Sequence, residues 1–219
     1  MDAFKSFAFL KRIPLLGFLG VFILLIFSGL GIAFQVPMKI IVIGWTAFLA
    51  MSVAAAIGIR VGDHHPKGLV WSYGLASGAM VTSAAIFLIP PAINHHPTAG
   101  SIGIAGGLIT GFSGLTIGDR LTHYNLPLDR TIAELTAHAI TTGTIIGIIY
   151  ISLPVLGPLL GLAVISHKAP AGYVAARRLQ QANISTGIIG LPASVVGIFA
   201  IGTNLLPLTI SPLLSAGIF

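Results

Sequence analysis

The chain has 219 residues, of which 55% are hydrophobic and only 7% are charged, whereas soluble domains contain about 25% charged residues. Eleven basic and five acidic residues cannot cover the surface of a soluble domain of this size, so the composition excludes a cytosolic enzyme, a DNA-binding module and a disordered chain. The net charge of +6 is attributed to basic loops that set membrane topology. Because cysteine is absent, disulfides and thiolate metal sites are excluded as well.

The apolar runs predict seven membrane-spanning helices, since a span needs roughly 20 mostly apolar residues. The runs are continuous rather than alternating, which favours helices over the strands of a barrel. The predicted spans lie at about 13–34, 39–59, 69–93, 100–117, 131–152, 155–176 and 184–206. The fold class is therefore an all-α, polytopic integral membrane bundle.

We expect a single transmembrane domain over residues 1–219. It consists of an extra N-terminal helix within 1–34, a helical core over 39–206 and an apolar tail over 207–219 that is too short to cross the membrane.

Basic residues predict the orientation of the spans. If the spans alternate, nine basic residues fall on one side of the membrane, and only Lys39 lies in a loop on the other. The nine are Lys5, Lys11, Arg12, Arg60, Lys67, Arg120, Arg130, Arg177 and Arg178. Because basic residues collect in cytoplasmic loops, we expect a cytoplasmic N-terminus and a C-terminus outside, in a prokaryotic cytoplasmic membrane.

The fifth predicted span carries a polar stripe. Glu134, His138, Thr141 and Thr142 lie at positions i, i+4, i+7 and i+8, which share one face of a helix. An ionisable residue inside a membrane is costly and is a functional hypothesis by default. One interpretation is a polar pathway along this face. In the other, the hydroxyls bond to carbonyls one turn earlier, and His138 holds two helices together.

The sixth predicted span contains His167 and Lys168 ahead of a proline. Pro170 lacks an N–H, so it is predicted to break the helix and to free the carbonyl of Ser166. A neutral imidazole beside a free carbonyl suits a cation or a proton, although the ammonium of Lys168 would repel a metal ion. The alternative is a proline kink with groups that pack helices. Breaks are also predicted in the third and seventh spans, at Pro90, Pro91 and Pro192.

Two pairs of histidines fall in predicted loops, His64–His65 and His95–His96, and Asp63 precedes the first pair. Adjacent histidine side chains diverge, so each pair needs further ligands to hold a metal ion. Solvated turns next to Pro66 and Pro97 are the favoured interpretation.

The segments around the two intramembrane histidines resemble the ZIP family of divalent-metal transporters. These segments are His-Ala-Ile-Thr-Thr-Gly at 138–143 and His-Lys-Ala-Pro-Ala-Gly at 167–172. The family carries motifs similar to His-Asn-x-Pro-Glu-Gly and His-Glu-x-Pro-Glu-Gly there. The segment Phe-Leu-Ile-Pro-Pro-Ala at 87–92 looks like the end of the family's Leu-Pro-Glu-Ala helix. The resemblance covers roughly residues 40–205.

The resemblance implies a ZIP-like core and transport of zinc or a similar divalent ion, as substrate, through an intramembrane site between the fifth and sixth helices. It assigns His138 and His167 to metal-binding positions, and Thr141 and Thr142 are candidate ligands beside them. No other cofactor is expected.

The family's acidic and amide side chains are missing from the corresponding positions. These positions hold Ala139, Thr142, Lys168, Ala171, Pro91 and Leu191. A divalent ion in a low-dielectric interior needs neutralising charge, and imidazoles and hydroxyls do not supply it.

Two hypotheses from different classes remain open. The first is a divergent metal transporter with alternating access, in which Glu134 adds to the pathway. The second is a non-transporting pseudo-ZIP that acts as a structural or assembly subunit of a larger membrane complex. In that case Lys168 occupies the former metal position and bonds to His138 or Glu134. A third hypothesis is transport of an anion or proton, but no sequence motif supports it.

An enzyme is not expected, because the spans contain no aspartate pair and the chain has neither a phosphate-binding loop nor a dinucleotide fingerprint. The expected partners are the lipid bilayer and either copies of the chain or a larger membrane complex. Nucleic acid is not among them.

Overall fold

The computed structural model describes residues 14–61, 66–121, 129–152 and 157–206, and the secondary-structure elements within these ranges are all helices. Each predicted span corresponds to a helical segment whose ends differ by a few residues. The elements in chain order are α1 (Leu15–Ala33), α2 (Met38–Val61), α3 (Pro66–Ser83), a π-helical turn (Ala84–Leu88), α4 (Ile89–His95), α5 (Pro97–Leu121), α6 (Arg130–Ser152), α7 (Gly157–Gln181), a 3-10 turn (Thr186–Ile189) and α8 (Gly190–Leu205).

Five of the described segments are long and apolar enough to cross a membrane. They are Leu15–Ala33, Met38–Val61, Lys67–Asn94, Arg130–Ile151 and Thr186–Leu205. The two other long helices, α5 and α7, have 25 residues each. Basic side chains lower the mean hydropathy of α7. The helical fold class is therefore confirmed, whereas a full set of seven spans stays a prediction.

The centre of the bundle is made by α8 and α7. The first packs against α1, α2 and α6, while α7 packs against α2 and α3. Their buried side chains form two clusters, one around Leu24, Ile146 and Val196 and the other around Met51 and Leu179. Many large apolar side chains point outward instead, as lipid-facing residues do.

Glycines let these helices approach at backbone distance. A Cβ atom added to Gly44 of α2 would lie 2.7 Å from the Cα atom of Gly197 on α8. Gly143 of α6 similarly faces the backbone carbonyl of Val196. Small residues are the usual means of close helix contact in membranes, so these glycines are structural.

The close contacts also give the relative directions of the helices. Ile43 lies against Gly161 near the start of α2 and α7, and Gly58 lies against Ala176 near their ends, so the two helices run parallel. The same is true of α1 and α8. Helices α2 and α7 belong to the second and sixth predicted spans, and α1 and α8 belong to the first and seventh. Spans that alternate in direction along the chain require the two helices of each pair to be parallel.

The prolines that were predicted to break the spans have different effects on their helices. Pro170 lies inside α7, which continues on both sides of it, because a long membrane helix tolerates the loss of one backbone hydrogen bond. Pro90 and Pro91 do not end the third span, since α4 continues to His95. The π-helical turn just before them shifts the hydrogen-bond register, and the N–H of Ile89 bonds to the carbonyl of Ala84.

Pro192 lies next to an irregular turn in its span. Pro192 is the third residue of α8, and backbone N–H groups in the first turn of a helix have no intrahelical acceptor to lose. The irregularity in this span is the 3-10 turn that precedes α8.

Several predicted features fall outside the described residues. They are the apolar tail at 207–219, the loop residues Asp63, His64 and His65, and the N-terminal bases Lys5, Lys11 and Arg12.

Candidate functional site

His138 of α6 and His167 of α7 meet across the gap between their helices. Their Nε2 atoms are 3.3 Å apart, and their ring centroids are 5.4 Å apart with an interplanar angle of 56°. The sequence predicted a site between these two helices, and the structure places both imidazoles at one point.

His167 is held in one orientation by its own helix. Its Nδ1 atom lies 3.1 Å from the backbone carbonyl of Ala163. A carbonyl only accepts hydrogen bonds, so the hydrogen of a neutral imidazole is on Nδ1 and the lone pair is on Nε2. That lone pair points to His138. Metal-binding histidines are commonly oriented in this way by a backbone carbonyl.

Thr142 stands one turn beyond His138 and belongs to the same group. Its hydroxyl donates to the backbone carbonyl of His138 over 2.7 Å, and its Oγ1 atom is 3.4 Å from Nε2 of His138. Thr141 is exposed, and its hydroxyl donates to the carbonyl of Ala137 over 3.2 Å. The prediction that both hydroxyls bond back one turn is confirmed, and only Thr142 also touches the histidine pair.

Two cavities meet at His138. The first, here the Glu134 cavity, has a volume of about 260 Å³ between α3, α6 and α7, and includes Tyr73, Glu134 and Arg178 in its lining. The second, here the Thr142 cavity, has a volume of about 200 Å³ and is lined by both histidines, by Thr141 and Thr142 and by residues around the π-helical turn. The predicted polar stripe on α6 therefore faces open space along its length.

Glu134 does not act as a free carboxylate at the histidine pair. Its Oε1 atom is 2.6 Å from Nε of Arg130, and both side chains are about half exposed, at 47% and 49%. Glu134 lines the Glu134 cavity one turn from His138, with its charge already balanced by Arg130.

Lys168 is the largest fully buried side chain of the described residues, with 1% exposure. Its Nζ atom has no hydrogen-bond partner in the part of the chain that the structure describes. The predicted bond from Lys168 to His138 or Glu134 is therefore absent from this structure. Since α7 turns by about 100° per residue, Lys168 leaves the helix in a different direction from His167, and it lines neither of the two cavities.

The donors at the histidine pair match a metal site in spacing but not in number. Zinc binds nitrogen at about 2.0–2.1 Å with tetrahedral angles, so two imidazole ligands of one ion lie roughly 3.3–3.4 Å apart. The observed separation is 3.3 Å. Among the described residues, however, no three side chains of the His, Cys, Asp and Glu types come together as a metal-binding group.

Helix α3 contributes residues to both cavities that were not predicted from the sequence. Tyr73, Ser77 and Met80 line the Glu134 cavity, and Met80, Ser83 and Ala84 line the Thr142 cavity. Spacings of four, three and four residues connect Tyr73, Ser77, Met80 and Ala84. This helical periodicity is the signal that identifies the face.

No protein-family model, no curated protein and no solved structure matches the chain. Membership of the ZIP family therefore stays a prediction based on the two histidine segments.

Proposed function

We propose that this protein transports a transition-metal ion, zinc or a similar divalent ion in the first instance, through an intramembrane site between α6 and α7. The observation that carries the proposal is the contact between His138 and His167 at the point where two cavities meet. A transporter needs a binding site that can be reached from either side in turn. Two cavities separated by the candidate ligands suit that requirement.

The packing of the bundle supports a rocking mechanism. Helix α6 packs mainly against α8, whereas α7 packs mainly against α2 and α3, and α6 and α7 share a much smaller contact. A small displacement between these two groups of helices would widen one cavity and narrow the other. Movement of one packed unit against another is the common form of alternating access.

The proposal is tested by uptake of zinc and cadmium into proteoliposomes. The double variant His138→Ala/His167→Ala should abolish saturable flux, while His96→Ala, which removes an exposed histidine that lines neither cavity, should keep it. Absence of flux above empty liposomes, in protein shown to be folded, would exclude transport of these ions.

A second candidate is the pseudo-ZIP subunit of a larger complex, and the position of α5 favours it. Helix α5 packs chiefly on α4. At Gly106, Gly107 and Gly111, an added Cβ atom would meet no described atom within 4 Å. A membrane helix with such an open glycine face suits a contact with another helix. Native mass spectrometry of protein extracted from its own membrane tests this candidate, and a lone monomer would argue against it.

A further inference from the structure

Met80 of α3 lies opposite His138 at the junction of the two cavities. Of all the residues that line the Glu134 cavity and the Thr142 cavity, Met80 and His138 are the two that line both. Met80 is on α3, whereas His138 and His167 are on α6 and α7, so Met80 and the imidazoles line the Thr142 cavity from different helices. The side chain of Met80 is half-buried.

We infer that Met80 supplies a thioether ligand beside His138 and His167, and that the preferred substrate of this site is a soft, singly charged cation of the Cu(I) and Ag(I) class. The inference rests on the proposed function, because it names the ion for the same site. A site of this kind differs from a carboxylate-based zinc site.

The charges around the site favour a singly charged ion. Among the described residues that line the Thr142 cavity, none is acidic, and the carboxylate of Glu134 is paired with Arg130. Lys168, next to His167 in sequence, adds a buried amine that has no hydrogen-bond partner among the described residues. The electrostatic penalty of taking an ion out of water rises with the square of its charge, so a monovalent ion carries roughly a quarter of the penalty of a divalent ion of equal size.

The ligand types favour a soft ion. Two imidazole nitrogens and a thioether sulfur are neutral donors, and soft sulfur ligands select Cu(I) over harder divalent ions. The hydroxyl of Thr142, whose Oγ1 atom is 3.4 Å from Nε2 of His138, adds a single hard oxygen ligand, because its hydrogen is directed to the carbonyl of His138 and its lone pairs stay free. Nitrogen and sulfur therefore dominate the first contacts of an ion at the junction.

The experiment compares uptake of Ag⁺ and Zn²⁺ by proteoliposomes in chloride-free nitrate buffer. Two variants are compared with the parent protein, Met80→Leu and the matched control Met38→Leu, which alters an exposed methionine at the start of α2. Leucine keeps the volume of methionine and removes the sulfur. Met80→Leu should lower Ag⁺ uptake by roughly tenfold or more, as loss of even an outer-shell partner of a metal site does, and should lower Zn²⁺ uptake by a smaller factor, so that the ratio of Ag⁺ to Zn²⁺ uptake falls. Met38→Leu should change neither.

X-ray absorption at the silver edge gives a readout that does not depend on transport. Protein loaded with Ag⁺ in detergent should show one sulfur neighbour, which Met80→Leu removes and Met38→Leu retains. Zinc uptake that exceeds silver uptake, or equal silver behaviour in the two variants, would overturn the inference and leave the proposed function standing. If neither ion is transported, the proposed function fails, and the presence or absence of the sulfur neighbour still decides whether Met80 binds the ion.

Discussion

His138 and His167 connect two helices that follow one another in the chain but pack on different neighbours. Helix α6 packs mainly on α8, and α7 packs mainly on α2 and α3, so the imidazole pair, with 3.3 Å between the Nε2 atoms, bridges a lightly packed seam. Neither helix depends on the other for most of its burial. Changes to the pair are therefore expected to alter function more than folding.

Truncation of the two histidines should be non-additive. We expect His138→Ala and His167→Ala each to remove most of the metal flux, and the double variant to lose little more than either single variant, because groups that act as a unit show this behaviour. Initial rates of uptake for the four proteins of the cycle provide the test. Losses that simply multiply would mean that the imidazoles act at separate places.

The two threonines should behave differently although they are neighbours in sequence. Thr142→Val removes the oxygen next to Nε2 of His138 and should lower metal affinity by roughly tenfold, as loss of an orienting group does. Thr141→Val alters an exposed hydroxyl and serves as the matched control. Binding isotherms in detergent measure both, and equal affinities for the two variants would contradict the assignment.

Replacement of Lys168 should stabilise the protein. A buried polar group without a hydrogen bond costs about 1–3 kcal/mol, and Lys168→Met keeps most of the side-chain volume while removing the amine, which has no partner among the described residues. The free energy of unfolding, measured in mixed micelles, should rise by about that amount. A less stable Lys168→Met variant would show that the amine has a partner in the membrane.

Substitution by alanine should change the stability of the protein in opposite directions at two glycines of the bundle. In Gly44→Ala, the new methyl group would lie 2.7 Å from the Cα atom of Gly197, and the resulting overpacking should cost about 1–3 kcal/mol. In Gly106→Ala, the methyl group meets open space, and the better helix propensity of alanine adds up to about 1 kcal/mol. Thermal unfolding followed by tryptophan fluorescence compares the two, and a stable Gly44→Ala variant would mean that α2 and α8 are farther apart.

Loss of the Glu134 carboxylate should have little effect on stability. Glu134→Gln breaks the ion pair with Arg130, but both side chains are about half exposed, and exposed pairs contribute about 0–1 kcal/mol. Metal uptake should persist in this variant, since the carboxylate is not part of the histidine pair. Abolished uptake in folded Glu134→Gln protein would instead place Glu134 on the pathway.

The helices could be predicted well because membrane thickness fixes the length of an apolar run. The predicted span at 131–152 became α6, which is Arg130–Ser152. Predictions from single prolines were poorer. The sequence shows that Pro170 and Pro90 lack a backbone N–H. Whether the helix continues past each proline depends on neighbouring turns and on packing, which the local sequence does not show.

The site was predicted only in part. Helical periodicity placed Glu134, His138 and Thr142 on one face, and His167 was predicted as an ionisable residue inside the sixth span. Only the pairing of His138 with His167 came from the family resemblance. Met80 was missed because one methionine in an apolar run looks like an ordinary lipid-facing or core residue. The bond predicted for Lys168 was wrong because a position in sequence does not specify the direction of a long side chain on its helix.

The buried amine of Lys168 has an electrical consequence. When protonated, it carries a fixed charge on α7 in the interior of the bundle, and the transmembrane potential acts on such a charge with up to about 2.3 kcal/mol per 100 mV for full transfer. If α7 shifts along the membrane normal as the cavities exchange, this charge moves through part of the field. The rate of exchange then depends on voltage even when no ion is bound, and the membrane potential favours one of the two open states.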